Sequence, residues 1–155
     1  DYSKGMKMKL AIAVALSHDP KLLILDEATS GLDPIIRDEI LDIFNDFTRD
    51  ESHSVLLSSH IVSDLEKICD YIAFLHKGKL VFCEEKDRLL EQYSIVRLTK
   101  AEFEAIPSDA VKGKKVTDYG VEALIERNSA MKQLKAERTS IEDIILFLAK
   151  GEKNS

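Results

Sequence analysis

Three residues stand where chemistry could be done. Asp26 and Glu27 follow directly on Leu22-Leu23-Ile24-Leu25, a run that is apolar at every position and that Pro20 precedes at a short distance. Such a run reads as a strand buried on both faces of a parallel sheet, and ligands of α/β sheets bind at the carboxyl ends of the strands. An aspartate at that edge can hold the Mg²⁺ of a nucleotide, directly or through water, and the glutamate beside it can polarise an attacking water. His60 lies just past the next predicted strand, Ser54 to Ser58. If the two strands are parallel neighbours, His60 and Glu27 reach the same edge. An imidazole there could bond a terminal phosphate oxygen while orienting the carboxylate or the water. Taken singly, each residue also fits a plainer reading: a solvated turn after a strand, or a histidine on the surface or capping a helix.

A second anion-facing feature opens the chain. Tyr2-Ser3-Lys4-Gly5-Met6 starts a helix with a hydroxyl and a glycine, so that backbone N–H groups, the positive end of the helix dipole and Lys4 could face an anion. Alone it is a helix start.

The elements that must position these residues follow from periodicity. Met6, Leu10, Ala13 and Val14 mark an amphipathic helix from about Ser3 to Leu16, ended by Asp19-Pro20. After Ser30-Gly31-Leu32, Asp33 caps a helix with Pro34 at its first position. Ile36, Ile40, Phe44 and Phe47 face inward there, and Asp38, Asp42 and Asp46 face water. A helix from about Ser63 to Cys69 leads into a strand at Tyr71 to Leu75, and Lys77-Gly78 turns it into Leu80 to Phe82 as a tight hairpin. The order α, β, α, β, α, β, β predicts an α/β fold: a mainly parallel sheet with flanking helices and an antiparallel edge hairpin.

Beyond Glu84 the strand signals shorten, which places a domain boundary between residues 1–83 and 84–155. A linking helix near Asp87 to Gln92, a half-buried strand at Ile95 to Thr99 and a last helix with Ile141, Ile144, Ile145 and Leu148 on one face form a small α+β appendix. Thr99 with Glu102, and Thr139 with Glu142, fit capping boxes. Lys112-Gly113-Lys114-Lys115 reads as a solvated turn, and the tail beyond Gly151 as frayed. Phe103, Ile106, Val121, Leu124 and Leu148 can supply a small core.

Composition narrows the partners. The 155 residues are 45% hydrophobic, enough to close a core, and 22 Lys+Arg against 28 Asp+Glu give a net charge of −6. That sign disfavours a nucleic-acid binder. The apolar runs Leu10 to Leu16 and Ile144 to Ala149 are far shorter than the roughly 20 residues that span a bilayer. Cys69 and Cys83 lack metal-ligand spacing and are expected to be reduced thiols. A start at Asp-Tyr-Ser, directly on a helix, reads as a piece of something longer.

Together the motifs fall in a fixed order between Tyr2 and His60, and there the chain resembles the ATP-binding-cassette (ABC) ATPases, specifically the C-terminal part of a transporter's nucleotide-binding subunit. Tyr2 to Met6 is similar to the family signature, Leu22 to Asp26 to its Walker B strand, Ser30-Gly31-Leu32-Asp33 to its D-loop and His60 to its switch histidine. The resemblance implies a partial P-loop NTPase (RecA-like) fold, with ATP and Mg²⁺ as cofactors. It implies Asp26 as the metal ligand, Glu27 as the catalytic glutamate with His60, and Ser3 and Gly5 on the γ-phosphate of a partner's nucleotide. Asp33 would cross to that partner and couple the two sites.

The partners implied are a second ATP-binding subunit, closing head to tail, and transmembrane permease subunits. Membrane contact would be indirect, from the cytoplasmic face. Two departures matter. Lys4 replaces the first glycine of Leu-Ser-Gly-Gly-Gln and Met6 its glutamine, variants that occur in bacterial exporters of peptides and drugs. No G-x-x-x-x-G-K-[ST] occurs anywhere, so the phosphate cradle is missing and the sequence as given is expected not to hydrolyse ATP. Without the flanking strands the Walker B strand should have a bare edge that recruits other chains. Two rival readings are a chromosome-maintenance or DNA-repair ATPase with the same motifs, and a non-catalytic dimerisation module.

Overall fold

In the computed structural model, which describes residues 3–127, 137 and 139–150, Ser3 caps the first helix, its Oγ accepting from the Met6 amide at 3.2 Å. Tyr2 and the tail beyond Gly151 lie outside the described residues. The chain forms two compact units, Asp1–Ile68 and Cys69–Ser155.

The first unit runs α1 (Lys4–Leu16), β1 (Leu22–Asp26), α2 (Pro34–Phe47), β2 (Ser54–Ser58) and α3 (Val62–Ile68). β1 and β2 pair in parallel, Leu22 opposite Ser54 through Asp26 opposite Ser58. This is the βαβ arrangement that the apolar run and the intervening helix require. Asp33 caps α2 with Oδ1 accepting from the Ile35 and Ile36 amides at 3.1 Å each. Thr48 ends α2 by turning its hydroxyl back to the Phe44 carbonyl. The core joins Ile12 of α1, Ala28, and Ile40, Leu41 and Phe44 of α2, with Leu25, Leu57 and Ile68 against it.

Two expectations are corrected here. α1 docks through Gly5, Met8, Ile12 and Leu16, while Met6, Leu10 and Val14 are more than half exposed. The helix is apolar nearly all round, so its periodicity cannot choose a face. Gly5 chooses it, because a Cβ there would stand 2.8 Å from Ile36 Cγ2 and only glycine admits the close approach of α2. β1 is buried on one face only: Leu23 is covered, whereas Leu22 and, at 72%, Ile24 are exposed, as is Leu56 opposite Ile24 on β2.

The second unit begins with β3 (Tyr71–His76) and β4 (Lys79–Glu85), an antiparallel hairpin. Lys77 and Gly78 take φ of 48° and 73°, the two positive values that a type I′ turn demands. Expected as the edge of the parallel sheet, this hairpin is a two-stranded sheet of its own. Next come α4 (Lys86–Gln92), β5 (Tyr93–Leu98), α5 (Lys100–Glu104), β6 (Val111–Thr117), β7 (Gly120–Glu126) and α6 (Ile141–Lys150).

β5, β7 and β6 form an antiparallel sheet in that order, and Val96, Ala110, Ala123 and Ile125 are its core, with Phe103 and Ile106 packed against it. The Thr99–Glu102 capping box is present. The second box is displaced by one residue: Ser140 and Asp143 cap each other reciprocally instead of Thr139 and Glu142, because the Thr139 hydroxyl is taken by the Ile95 amide at 3.0 Å. Lys112 to Lys115 is strand and not turn. Gly113 is buried in the sheet, and the consecutive Lys114 and Lys115 stand on opposite faces of it.

Candidate functional site

The parallel register delivers the acids and the histidine to one edge. Asp26 is the last residue of β1 and lies opposite Ser58, whose hydroxyl donates to Asp26 Oδ1. Glu27 leaves the strand with φ 51°, a left-handed conformation that costs a non-glycine residue about 1–2 kcal/mol. Its amide still donates to the Ser58 carbonyl at 3.0 Å, so the chain turns without losing the ladder.

That turn carries the Glu27 carboxylate across to the end of β2, where His60 Nδ1–H donates to Oε2 at 2.6 Å. A carboxylate only accepts, so Nδ1 holds the proton. The two side chains remain accessible, His60 at 67% and Glu27 at 39%. Asp26, Glu27 and His60 are therefore one cluster open to solvent.

The remaining sequence candidates gather around the start of α2. Gly5 packs on Ile36, and Lys4 lies over the loop between β1 and α2, where a Cβ on Gly31 would come within 2.5 Å of Lys4 Nζ. Gly31 itself has φ 66°, so a side chain there is strained by the backbone and would also push the end of the Lys4 side chain aside. Asp33 commits Oδ1 to the helix cap, and Ser3 Oγ caps α1. Ser3, Gly5 and Asp33 thus have a structural task each, whatever else they do. Thr29 in the same loop is fully buried with its hydroxyl unpaired.

Sequence reasoning missed Arg37 and Asp64. Asp64 is 1% exposed, and Arg37 Nε lies 3.5 Å from its Oδ1. Neither belongs to a motif, and an acid at the fourth position past His60 looks like any helical surface residue. The signal was the placement: each lies four residues beyond a candidate site residue.

A hard-oxygen ion suits Asp26. Among the described residues no group of three or more His, Cys, Asp or Glu side chains could hold a metal by itself. An ion at Asp26 would depend on one carboxylate, water and phosphate oxygens, the usual environment of Mg²⁺. The phosphates are a different matter, since the sequence contains no loop to cradle them. A pocket of about 400 Å³ in the second unit is lined by Arg97, Thr99, Glu102 and Tyr119 among others. It offers no free charge: Arg97 is held by Glu122 and Glu137 at 2.8 and 2.9 Å, and Glu102 by Thr99.

Known proteins match the same half. Residues 1–63 match the family model described as "AAA domain, putative AbiEii toxin, Type IV TA system". The ABC transporter ATP-binding protein YhcH of Bacillus subtilis is 51% identical over 80 residues, 52% of this chain and 26% of that protein. The lantibiotic transport ATP-binding protein SrtF of Streptococcus pyogenes is 45% identical over 86 residues, 56% of this chain and 37% of the relative. The bacitracin transport ATP-binding protein BcrA of Enterococcus faecalis is 46% identical over 81 residues, 52% and 26% respectively.

A solved structure described as a metal-chelate type ABC transporter in an inward-facing conformation shares the fold, with a TM-score of 0.53 at 20% identity, over 84% of this chain and 49% of that one. The matched segment spans only 26% to 37% of the length of these curated relatives. Among the described residues no helix is long and apolar enough to cross a membrane. Through its first half, the chain is similar to the ATP-binding proteins of ABC transporters.

Proposed function

We propose that this sequence is the catalytic-edge portion of a transport ATPase, and that residues 1–155 do not turn over ATP without a phosphate loop supplied by further sequence. The observation that carries this reading is the 2.6 Å bond between Glu27 and His60 at the edge where Asp26 ends its strand. Glu27 accepts the bond through Oε2, which leaves Oε1 to receive a hydrogen from water. His60 holds that carboxylate in place through Nδ1–H, and as the imidazolium, protonated on both nitrogens, it would also donate from Nε2–H to a phosphate oxygen. Asp26, steadied by Ser58, holds a metal ion. Bound Mg²⁺ supplies neutralising charge for the phosphoryl oxygens.

Ser3 and Gly5 would serve a second subunit's nucleotide, with Asp33 at the join. Permease subunits would tether the assembly to the inner face of the membrane. The relatives named for lantibiotic and bacitracin transport support a cargo of that class, and the Lys4 and Met6 variants of the signature-like stretch support the peptide or drug exporter type. The test is Mg-ATP binding by residues 1–155 beside a longer form that carries the phosphate loop. Binding by the longer form alone is expected, and Glu27→Gln in that form should retain ATP while stopping turnover. Tight binding or hydrolysis by residues 1–155 overturns the proposal.

A further inference from the structure

We infer that Arg37 and Asp64 form a positioning clamp that fixes His60 relative to the D-loop, so that the catalytic pair and the subunit-facing loop move as one body. This rests on the ATPase reading for its consequence, though not for its geometry. Two helices start from the two loops concerned. α2 starts at Asp33, whose carbonyl accepts from the Arg37 amide at 3.0 Å, so Arg37 sits one turn into that helix. α3 starts just after His60, and the Ile61 carbonyl accepts from the Asp64 amide at 3.1 Å, so Asp64 sits one turn beyond the histidine. The side chains of Arg37 and Asp64 then meet, closing a circuit that runs from Glu27 through His60, Ile61, Asp64 and Arg37 to Asp33.

The chemistry of the contact separates it from an ordinary surface pair. Asp64 is almost wholly buried, and its second oxygen, Oδ2, has no partner. A buried carboxylate so served depends heavily on the single guanidinium, which is itself about one-third exposed. Removing one member of a buried pair strands the other charge, whereas replacing both with apolar side chains is often neutral or stabilising. The same two helices carry a built-in control: Lys67 and Asp38 also pair across them, at 2.8 Å, but with both side chains more than half exposed. Exposed pairs of that kind contribute little. If the helices merely needed ionic glue, the two pairs would be interchangeable. The clamp differs because its members stand one turn from Asp33 and one turn from His60, while Asp38 and Lys67 lie further along.

The test has two readouts. The first needs no nucleotide: nitrogen chemical shifts of the His60 imidazole in residues 1–155 report whether Nδ1 carries the proton, as the Glu27 bond requires. Asp64→Asn should shift this signature at least halfway to that of Glu27→Ala, and Lys67→Ala should leave it unchanged. The second uses the longer, phosphate-loop-bearing form. There Asp64→Asn should lower kcat on the order of tenfold to a hundredfold, the scale of a misplacement of about an ångström. KM for ATP should stay within about twofold.

Because Asp64→Asn also strands a charge, the double variant Arg37→Leu/Asp64→Leu is the decisive one. It should regain thermal stability without regaining the His60 signature or kcat. Recovery of all three, or an unchanged His60 signature in folded Asp64→Asn, overturns the clamp. If the longer form instead hydrolyses no ATP and Glu27→Gln traps none, the ATPase reading fails, and the imidazole signature still decides the geometry.

Discussion

Gly5 makes a prediction whose sign decides the argument. By resemblance it is expected to face a phosphate from a signature-like stretch; in the fold it packs closely on Ile36 of α2. Gly5→Ala should therefore bring two opposing effects. Replacing glycine by alanine inside a helix stabilises by about 1 kcal/mol. Against it stands the 2.8 Å approach of the new Cβ to Ile36 Cγ2, with Cγ1 at 3.4 Å. That methyl branches from the Cβ of a helical isoleucine, whose χ1 has essentially one setting, so it cannot swing aside and α1 must lift.

Overpacking of this order costs about 1–3 kcal/mol, which leaves a net loss of about 0–2 kcal/mol. The assay is urea denaturation followed by far-UV circular dichroism, since the chain has no tryptophan. Hydrogen exchange of the α1 amides should be read beside it, because a chain of two units need not unfold in one step. In an Ile36→Ala background the same change has room and should stabilise, a coupling of about 2 kcal/mol between the two positions. A gain in stability from Gly5→Ala in both backgrounds would refute the packing argument and return Gly5 to a purely phosphate-facing role.

Three further outcomes follow from the same geometry. Asp33→Ala should destabilise the first unit by about 1 kcal/mol through the lost cap on two amides, and Asp33→Asn should recover most of it; an unchanged urea midpoint for Asp33→Ala would remove the cap from the account. Gly31→Ala should cost at least about 1 kcal/mol and displace Lys4, which a changed amide shift at Lys4 would report. The second unit should be acid-labile through Glu126, whose carboxyl is held below the ordinary range by bonds from Lys112 and Gln92. Its folded pKa is lower than its unfolded one, so that contribution is complete above the unfolded value and fades as pH falls through the lowered one. Glu126→Gln should flatten the acid limb of a stability-against-pH curve, and an identical limb in both proteins would exclude this pair as its source.

How much of this was legible depended on whether a feature was local. Caps and turns were legible because one or two residues dictate them: Asp33-Pro34 opened α2, Lys77-Gly78 turned the hairpin, and Thr99 and Glu102 closed their box. The edge that joins Glu27 to His60 was legible too, because an apolar run ending in two acids and a strand ending before a histidine need only be parallel neighbours. What failed was whatever tertiary contact decides. The exposed stripe of Met6, Leu10 and Val14 is as regular as the buried one of Met8, Ile12 and Leu16, and only the glycine contact separates them. The Lys112–Lys115 run looks like a turn by charge, yet β7 on one side turns it into a strand.

The backbone at Glu27 explains why this sheet edge is arranged as it is. An acid continuing β1 in extended conformation would point along the strand direction or to a sheet face, not towards β2. The left-handed turn at φ 51° redirects the side chain across to His60, and the amide bond to Ser58 keeps the turn from unravelling the ladder. The strain of about 1–2 kcal/mol is offset locally by that amide bond and by the imidazole contact. A glycine at this position would relieve the strain and discard the carboxylate, and an aspartate would keep the charge but lose one methylene of reach. The residue that stands there is the one that tolerates the turn at some cost because its length is needed on the far side. Left-handed backbone at a non-glycine residue is accordingly the mark by which a strand-end acid with a task can be told from one that merely ends a strand.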